Sequence, residues 1–168
     1  MVEIEATYWI RKLNLQKHPE GGYFKETYRS AEIIRREHLP RRFQGDHCFS
    51  TAIYYLLPGN EFSAFHRIRS DELWHFYYGS PIILYSIDQE GMLFKIKLGP
   101  NLEKGQLFQA RIRAGNWFAA RVLDTESYAL VGCTVAPGFE YEDFELGKRQ
   151  TLLQLFPRHK EVIKALTR

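Results

Sequence analysis

The feature that most constrains this fold is a succession of short apolar and aromatic runs through the middle of the chain, each ended by turn-forming residues. Between Tyr23 and Pro137 there are nine such runs, and no helical periodicity separates them. The breaks contain glycine, which supplies positive φ, or proline, which presets a turn. Many short strands without intervening helices predict an all-β sandwich or closed barrel, such as a jelly roll. The runs are Tyr23–Arg29, Cys48–Leu57, Glu61–Ile68, Glu72–Tyr78, Ile82–Asp88, Met92–Leu98, Leu107–Ile112, Trp117–Val122 and Ser127–Val135.

Apolar residues at helical spacing flank this region. At the start of the chain they predict a helix over about residues 3–14, which ends before His18-Pro19 because the residue before a proline is pushed out of helical geometry. Later they predict helices within about residues 148–167, interrupted at Pro157. A length of 168 residues fits one domain, with the barrel at about residues 23–137. The stripes are Ala6, Trp9, Ile10 and Leu13; Leu152, Leu155 and Phe156; and Val162, Ile163 and Leu166.

Composition and charge argue against several classes of partner. The net charge of +3 is mild, and the dense basic run within residues 35–42 is typical of a solvated loop rather than a phosphate-binding patch. Two cysteines, Cys48 and Cys133, do not make a disulfide framework. No apolar run approaches the roughly twenty residues that span a bilayer, and no signal-peptide pattern opens the chain. We therefore expect a soluble, cytoplasmic protein that binds neither nucleic acid nor membranes.

The densest group of chemically capable residues lies around one predicted hairpin. His66 ends one strand and Glu72 begins the next, so an antiparallel pairing places the two side chains near each other. A histidine beside a carboxylate inside a barrel can move a proton, and the same two residues could ligate a metal. Tyr77, on the second strand, is a candidate acid. We predict His66, Glu72 and Tyr77 as catalytic residues.

This stretch resembles the first motif of the cupin superfamily, in which a Gly, a His-x-His pair, a Glu and a second Gly follow one another. His66, Glu72 and Gly79 match the pattern, whereas Gly59 lies one residue too far away and Ile68 stands at the second histidine. The second cupin motif resembles residues 113–118, where Gly115 is retained and Phe118 replaces the third histidine. The resemblance therefore implies a cupin barrel that lacks two of the usual metal ligands.

A second resemblance covers nearly the whole chain. The segment from His18 to Ser30 and several later blocks are similar to the cupin-5 family, also called domain of unknown function 985. This resemblance implies a double-stranded β-helix (jelly-roll) fold, a homodimer and no established activity. The similarity to sugar-nucleotide epimerases and isomerases lies at the level of fold. The later blocks are residues 50–54, 63–67, 71–74, 130–133, 137–139 and 143–146.

The missing histidines bear on the cofactor. A metal site needs its full ligand set to hold a transition metal firmly, so we expect no metal cofactor, with His66 and Glu72 as the remaining candidate ligands. His75 could substitute for a lost ligand, but strand alternation places its side chain on the other face of the sheet from Glu72. The same alternation predicts that Trp74, Phe76 and Tyr78 point inward with Glu72, unless a bulge intervenes.

Five further residues are candidate ligand-binding groups. Trp74 and Phe118 could pack in the core or form an aromatic wall for a sugar ring or a base. By resemblance, the strand after residues 18–22 lies beside the barrel mouth, where Glu20 could bind a hydroxyl and Arg29 an anionic group. Both could equally belong to an ordinary turn and strand. His75 completes the set.

The leading hypothesis is a small-molecule-binding cupin that acts without a metal as an epimerase or isomerase on a carbohydrate-like or sugar-nucleotide ligand. His66 would be the general base, oriented by Glu72. One alternative is a non-catalytic module that senses or stores a small ligand. Another is a metal-dependent cupin enzyme with an atypical ligand set.

Overall fold

A computed structural model describes residues 5–168, and each of the nine predicted runs overlaps a strand. The helices are α1 (Ala6–Lys12), α2 (Arg149–Leu155) and α3 (Lys160–Ala165). The strands are β1 (Gln16–Lys17), β2 (Tyr23–Arg29), β3 (Ile33–Ile34), β4 (His47–Cys48), β5 (Thr51–Pro58), β6 (Phe62–Arg67), β7 (Asp71–Gly79), β8 (Ile82–Ile87), β9 (Leu93–Leu98), β10 (Gln109–Ile112), β11 (Trp117–Val122), β12 (Tyr128–Ala136) and β13 (Glu145–Leu146). Short 3-10 helices occupy Arg36–His38, Leu102–Lys104, Tyr141–Asp143 and Pro157–His159.

Two antiparallel sheets form the barrel. One has the strand order β1-β2-β5-β12-β7-β10, and the other has the order β13-β6-β11-β8-β9. A small third sheet pairs β3 with β4. The inner faces of the two large sheets share one apolar core, in which Tyr55 and Trp74 from one sheet meet Leu84 and Phe118 from the other. The predicted all-β jelly-roll class is confirmed.

The helices cover the outer faces of the sheets. The C-terminal helices bury Leu152 and Ile163 against Phe65 and Trp117 on the outside of the smaller sheet. Helix α1 packs against the outside of the larger sheet, where the Trp9 indole donates to the Tyr128 hydroxyl at 2.8 Å. The first two residues of the predicted helix 3–14 lie outside the described residues. In the C-terminal stripe, Leu152 is buried whereas Leu155 is exposed.

A β-bulge changes the inward pattern of β7. Leu130 of β12 pairs with Tyr78, but the next residue, Val131, pairs with Phe76, so Tyr77 is an extra residue. An extra residue reverses the alternation beyond it. Glu72, Trp74 and Phe76 therefore face inward as predicted, whereas Tyr78 lies outside, half exposed, against Trp9. The prediction that Tyr78 faces inward is wrong for this reason.

Candidate functional site

The candidate site is a cavity of about 80 Å³ at one end of the barrel interior, where β2, β5, β6, β7 and β12 meet. The segment after β12 crosses this end and contributes an aromatic roof. Half-exposed Arg29 and Glu26 lie at the rim, and the buried groups lie deeper. The lining residues are His18, Glu20, Phe24, Glu26, Arg29, Thr51, Ile53, Tyr55, His66, Ile68, Glu72, Cys133, Phe139, Tyr141 and Phe144.

The imidazole of His66 is held at both ring nitrogens. Its Nε2 lies 3.0 Å from Glu20 Oε2, and its Nδ1 lies 2.7 Å from the carbonyl oxygen of Ala64. Both residues of the ion pair are buried, and Ser63 donates its hydroxyl to the other Glu20 oxygen at 2.8 Å. The ring of Phe118 covers the imidazole at 4.0 Å between centroids. His66 is thus fixed and has its hydrogen-bonding capacity filled.

Glu20 reaches this position through the turn formed by residues 18–22. Gly22 has a φ of +69°, and a side chain there would meet the Leu56 carbonyl oxygen at 2.7 Å. Glycine is therefore required for the close approach of the turn to β5. The sequence suggested Glu20 as a hydroxyl-binding group at the mouth, but the structure makes it the direct partner of His66.

Burial alone would raise the pKa of Glu20, but the charge and hydrogen bond of His66, with help from His18 and Ser63, lower it to about 2. Burial alone would lower the pKa of His66, but Glu20 and, at longer range, Glu72 raise it. The two directions agree with the geometry, because both ring nitrogens of His66 face acceptors, the Glu20 carboxylate and the Ala64 carbonyl oxygen, as the nitrogens of an imidazolium require. For His18, burial dominates and lowers the pKa despite the nearby Glu20 carboxylate.

Glu72 is in a different electrostatic state. Only 7% of its surface is exposed, and no lysine, arginine or histidine nitrogen among residues 5–168 lies within ion-pair distance of its carboxyl group. Burial raises its pKa to about 7, with a smaller opposing effect from the His66 charge, a further rise from Glu20 and a lowering by a hydrogen bond with Cys133. Glu72 can therefore gain or lose a proton near neutral pH.

Arg29 lies at the rim with its guanidinium occupied. Its Nε and Nη2 donate to the two oxygens of Glu26 at 3.1 and 3.0 Å, and its Nη1 donates to Glu140 at 2.6 Å. Nη2 also donates to the Phe139 carbonyl oxygen. An anionic ligand would have to displace these carboxylates before it could use the guanidinium.

The structure separates the remaining predicted site residues from the cavity. Trp74 and Phe118 are buried in the core; the Trp74 indole N–H has no hydrogen-bond partner among residues 5–168. His75 lies on the outer face, where it bonds Thr134 and Gln109. Tyr77 is half exposed on the same outer face. Neither His75 nor Tyr77 reaches the cavity, so the structure does not bring them together with Glu72.

Sequence reasoning missed the roof of the cavity. Phe139, Tyr141 and Phe144 pack edge to face, with centroid separations of 5.1 to 6.5 Å. They belong to a segment that follows the barrel in sequence, and its Phe-rich and Tyr-rich composition was the available indication. A buried hydrogen bond of 2.6 Å between His47 and Asp143 fixes this segment to β4.

Metal-binding geometry is not evident at the site. Within the part of the chain that the structure describes, no three His, Cys, Asp or Glu side chains are arranged to hold a metal ion. Ile68, at the position of a usual cupin histidine, lines the cavity as a hydrocarbon. Among the described residues, no helix has the length and apolar character needed to cross a membrane.

A jelly-roll barrel with this inner cavity defines the chain as a cupin. It belongs to the Cupin_5 family, described as "Cupin superfamily (DUF985)", which matches residues 7–147. An uncharacterized protein of Saccharomyces cerevisiae is 31% identical over 146 residues, which cover 80% of this chain and 71% of the yeast protein.

Solved structures agree with this assignment. A protein from Shewanella oneidensis superimposes with a TM-score of 0.89 at 34% identity, covering 98% of each chain. A hypothetical protein from Leishmania major gives 0.88 at 32% identity, covering 98% of this chain and 99% of that one. Oxalate decarboxylase from Bacillus subtilis gives 0.54 at 14% identity, covering 89% of this chain and 36% of that chain. This last likeness extends to the fold alone.

Proposed function

We propose that the barrel cavity binds a small carbohydrate-like molecule and that Glu72 transfers a proton on it, as in an isomerase or epimerase. The observation that carries the proposal is the buried Glu72 carboxyl group, which has no ion-pair partner among the described residues. A base is most effective when its pKa lies near the working pH, and the pKa of Glu72, raised by burial to about 7, satisfies that condition.

The reaction that suits this arrangement is proton transfer next to a carbonyl group. The ionised Glu72 carboxylate would remove a proton from the carbon beside the carbonyl, and the electron pair of the C–H bond would move into an enolate. The same carboxyl group would return the proton to the former carbonyl carbon. The proton of the adjacent hydroxyl group would pass to the former carbonyl oxygen, so that the hydroxyl-bearing carbon becomes the new carbonyl. One titrating group suffices for this isomerisation, whereas epimerisation needs a donor on the opposite face.

His66 takes a positioning and electrostatic role in this proposal. Because its nitrogens are held by Glu20 and Ala64, it does not have the free lone pair that a general base needs. Its positive charge instead favours the ionised form of Glu72 and the negative charge that develops on an enolate. Tyr77, on the outer face, takes no part.

The ligand in this proposal is carbohydrate-like rather than a sugar nucleotide. A pyrophosphate needs free cationic donors, but the guanidinium of Arg29 is already bonded to Glu26 and Glu140. Aromatic side chains around the cavity offer faces on which a sugar ring can pack.

Hydrogen–deuterium exchange at carbon tests the reaction. A panel of small aldoses and ketoses is incubated with the protein in deuterated water, and the loss of C–H signals is followed by NMR. We expect exchange beside the carbonyl with the unmodified protein and with Tyr77→Phe, and loss of exchange with Glu72→Gln. Exchange at the same rate in Glu72→Gln would contradict the proposal.

A non-catalytic binding module is the second candidate, favoured by the small, aromatic-lined form of the cavity. It predicts ligands that raise the melting temperature without C–H exchange, and weaker binding in His66→Ala. The metal-dependent alternative predicts one equivalent of metal by elemental analysis of protein purified without an affinity tag. The proposed homodimer is tested by light scattering, and a stable monomer at micromolar concentration would count against it.

A further inference from the structure

The cavity contains a buried acid without a counter-charge. Glu20 and Glu72 are both buried, but Glu20 lies 3.0 Å from the imidazolium of His66, whereas Glu72 has no cation at ion-pair distance among residues 5–168. A buried carboxylate without a partner is costly, so it is either protonated or compensated by a cation from outside the chain. A bound ligand can supply that cation.

The rim of the cavity also disfavours anions. Arg29 is the guanidinium that lines the cavity, and two carboxylates, Glu26 and Glu140, bond it. The three groups together carry an excess of one negative charge. The Glu20–His66 pair adds no net charge deeper in the cavity.

Aromatic rings form much of the remaining lining. Phe139, Tyr141 and Phe144 lie over the opening, and Phe24 and Tyr55 lie on the barrel wall. The face of an aromatic ring carries partial negative charge and attracts ammonium groups, most strongly where water is excluded. Rings combined with a carboxyl group are a general solution for binding a cationic nitrogen.

We propose that this cavity binds its ligand through a cationic nitrogen, a protonated or quaternary amine, held between the Glu72 carboxylate and the aromatic wall. The inference rests on the proposed function only in taking this cavity as the ligand site. For a carbohydrate-like substrate it specifies an amino sugar or a comparable amino alcohol. The cation also keeps Glu72 ionised, which is the form a base requires.

Binding of choline, measured by calorimetry at about pH 6 and about pH 8, tests the inference. The titratable groups that face Glu72 are His66 on β6, Glu20 on the turn before β2 and Cys133 on β12. Since the pKa of Glu72 is raised by burial to about 7, its ionised fraction rises about tenfold over this interval. We expect the affinity for choline to rise about tenfold as well, with release of a proton on binding.

Three comparisons complete the experiment. The uncharged carbon analogue of choline, in which a tert-butyl group replaces the trimethylammonium group, should bind at least about tenfold more weakly at about pH 8. Glu72→Gln should lose both the tight binding and its pH dependence. Tyr141→Leu should weaken choline binding, whereas the matched change Tyr77→Leu on the outer face should not.

Equal binding of choline and its uncharged analogue would overturn the inference, as would undetectable choline binding at millimolar concentration. If Glu72→Gln does not fold, the analogue comparison and the tyrosine pair still decide the matter. C–H exchange on an uncharged sugar without choline binding would overturn this inference and leave the proposed function standing. Choline binding without any C–H exchange would support this inference and contradict the proposed proton transfer.

Discussion

Replacing Glu72 with glutamine should stabilise the protein at alkaline pH. The folded chain buries this carboxyl group without an ion-pair partner among residues 5–168, so ionisation is more costly in the folded than in the unfolded state. Glutamine has nearly the same shape and cannot ionise. The substitution therefore removes the cost of the charge while keeping the packing against Cys133 and the inner wall.

The structure sets the size of this effect. Burial raises the pKa of Glu72 from 4.5 to about 7. At about 1.4 kcal/mol per pH unit, this difference corresponds to about 3 kcal/mol. Because the folded-state pKa is the higher one, the favourable contribution is complete below pH 4.5 and is lost as the pH rises through about 7.

Urea unfolding of both proteins at about pH 5 and about pH 8, followed by tryptophan fluorescence, measures the effect. Relative to the unmodified protein, Glu72→Gln should gain about 2–3 kcal/mol in unfolding free energy between the two conditions. Contributions from groups common to both proteins cancel in this difference. The exposed Glu126→Gln variant is the control and should show no such gain. A difference between the proteins that does not change with pH would refute the reasoning.

Two further substitutions test the groups around the cavity. Glu20→Ala removes the partner of buried His66 and should cost about 3–5 kcal/mol of unfolding free energy. The control Glu26→Ala, at an exposed position, should cost less than about 1 kcal/mol. Equal losses in urea unfolding would count against the Glu20–His66 ion pair. His47→Leu leaves buried Asp143 without its 2.6 Å partner and should cost about 1–3 kcal/mol. It should also speed amide hydrogen exchange at Asp143, and unchanged protection there would argue against the hydrogen bond as the fixing contact.

The sequence predicted the strands well because the turns between them are specified by residues within each turn. The Gly and Pro breaks each fix one chain reversal, and the strands Tyr23–Arg29 and Trp117–Val122 coincide with the predicted runs. The predicted antiparallel pairing of the strands that carry His66 and Glu72 is wrong, because β6 and β7 belong to different sheets. Both residues nevertheless line the cavity, since the two sheets face each other across the barrel interior.

The ion pair, the strand register and the aromatic roof of the site all depend on contacts between residues that are distant in sequence. The partner of His66 is Glu20, more than forty positions away in the chain, and no local pattern indicates that pairing. The bulge at Tyr77 is a shift in the register between β7 and β12, and the apolar alternation within β7 alone does not reveal it. The roof residues Phe139, Tyr141 and Phe144 could not be placed because their segment has no strand or helix periodicity.

The ionisation of Glu72 can be observed directly by NMR of protein carrying carbon-13 at the glutamate side-chain carboxyl, with Glu72→Gln used to assign the resonance. The titration should have its midpoint at about 7, well above that of exposed glutamates. A midpoint at or below 4.5 would show that the cavity stabilises the Glu72 carboxylate without an added cation. The proton-transfer proposal would then be wrong, and the cation-binding proposal would rest on a false premise, the uncompensated acid.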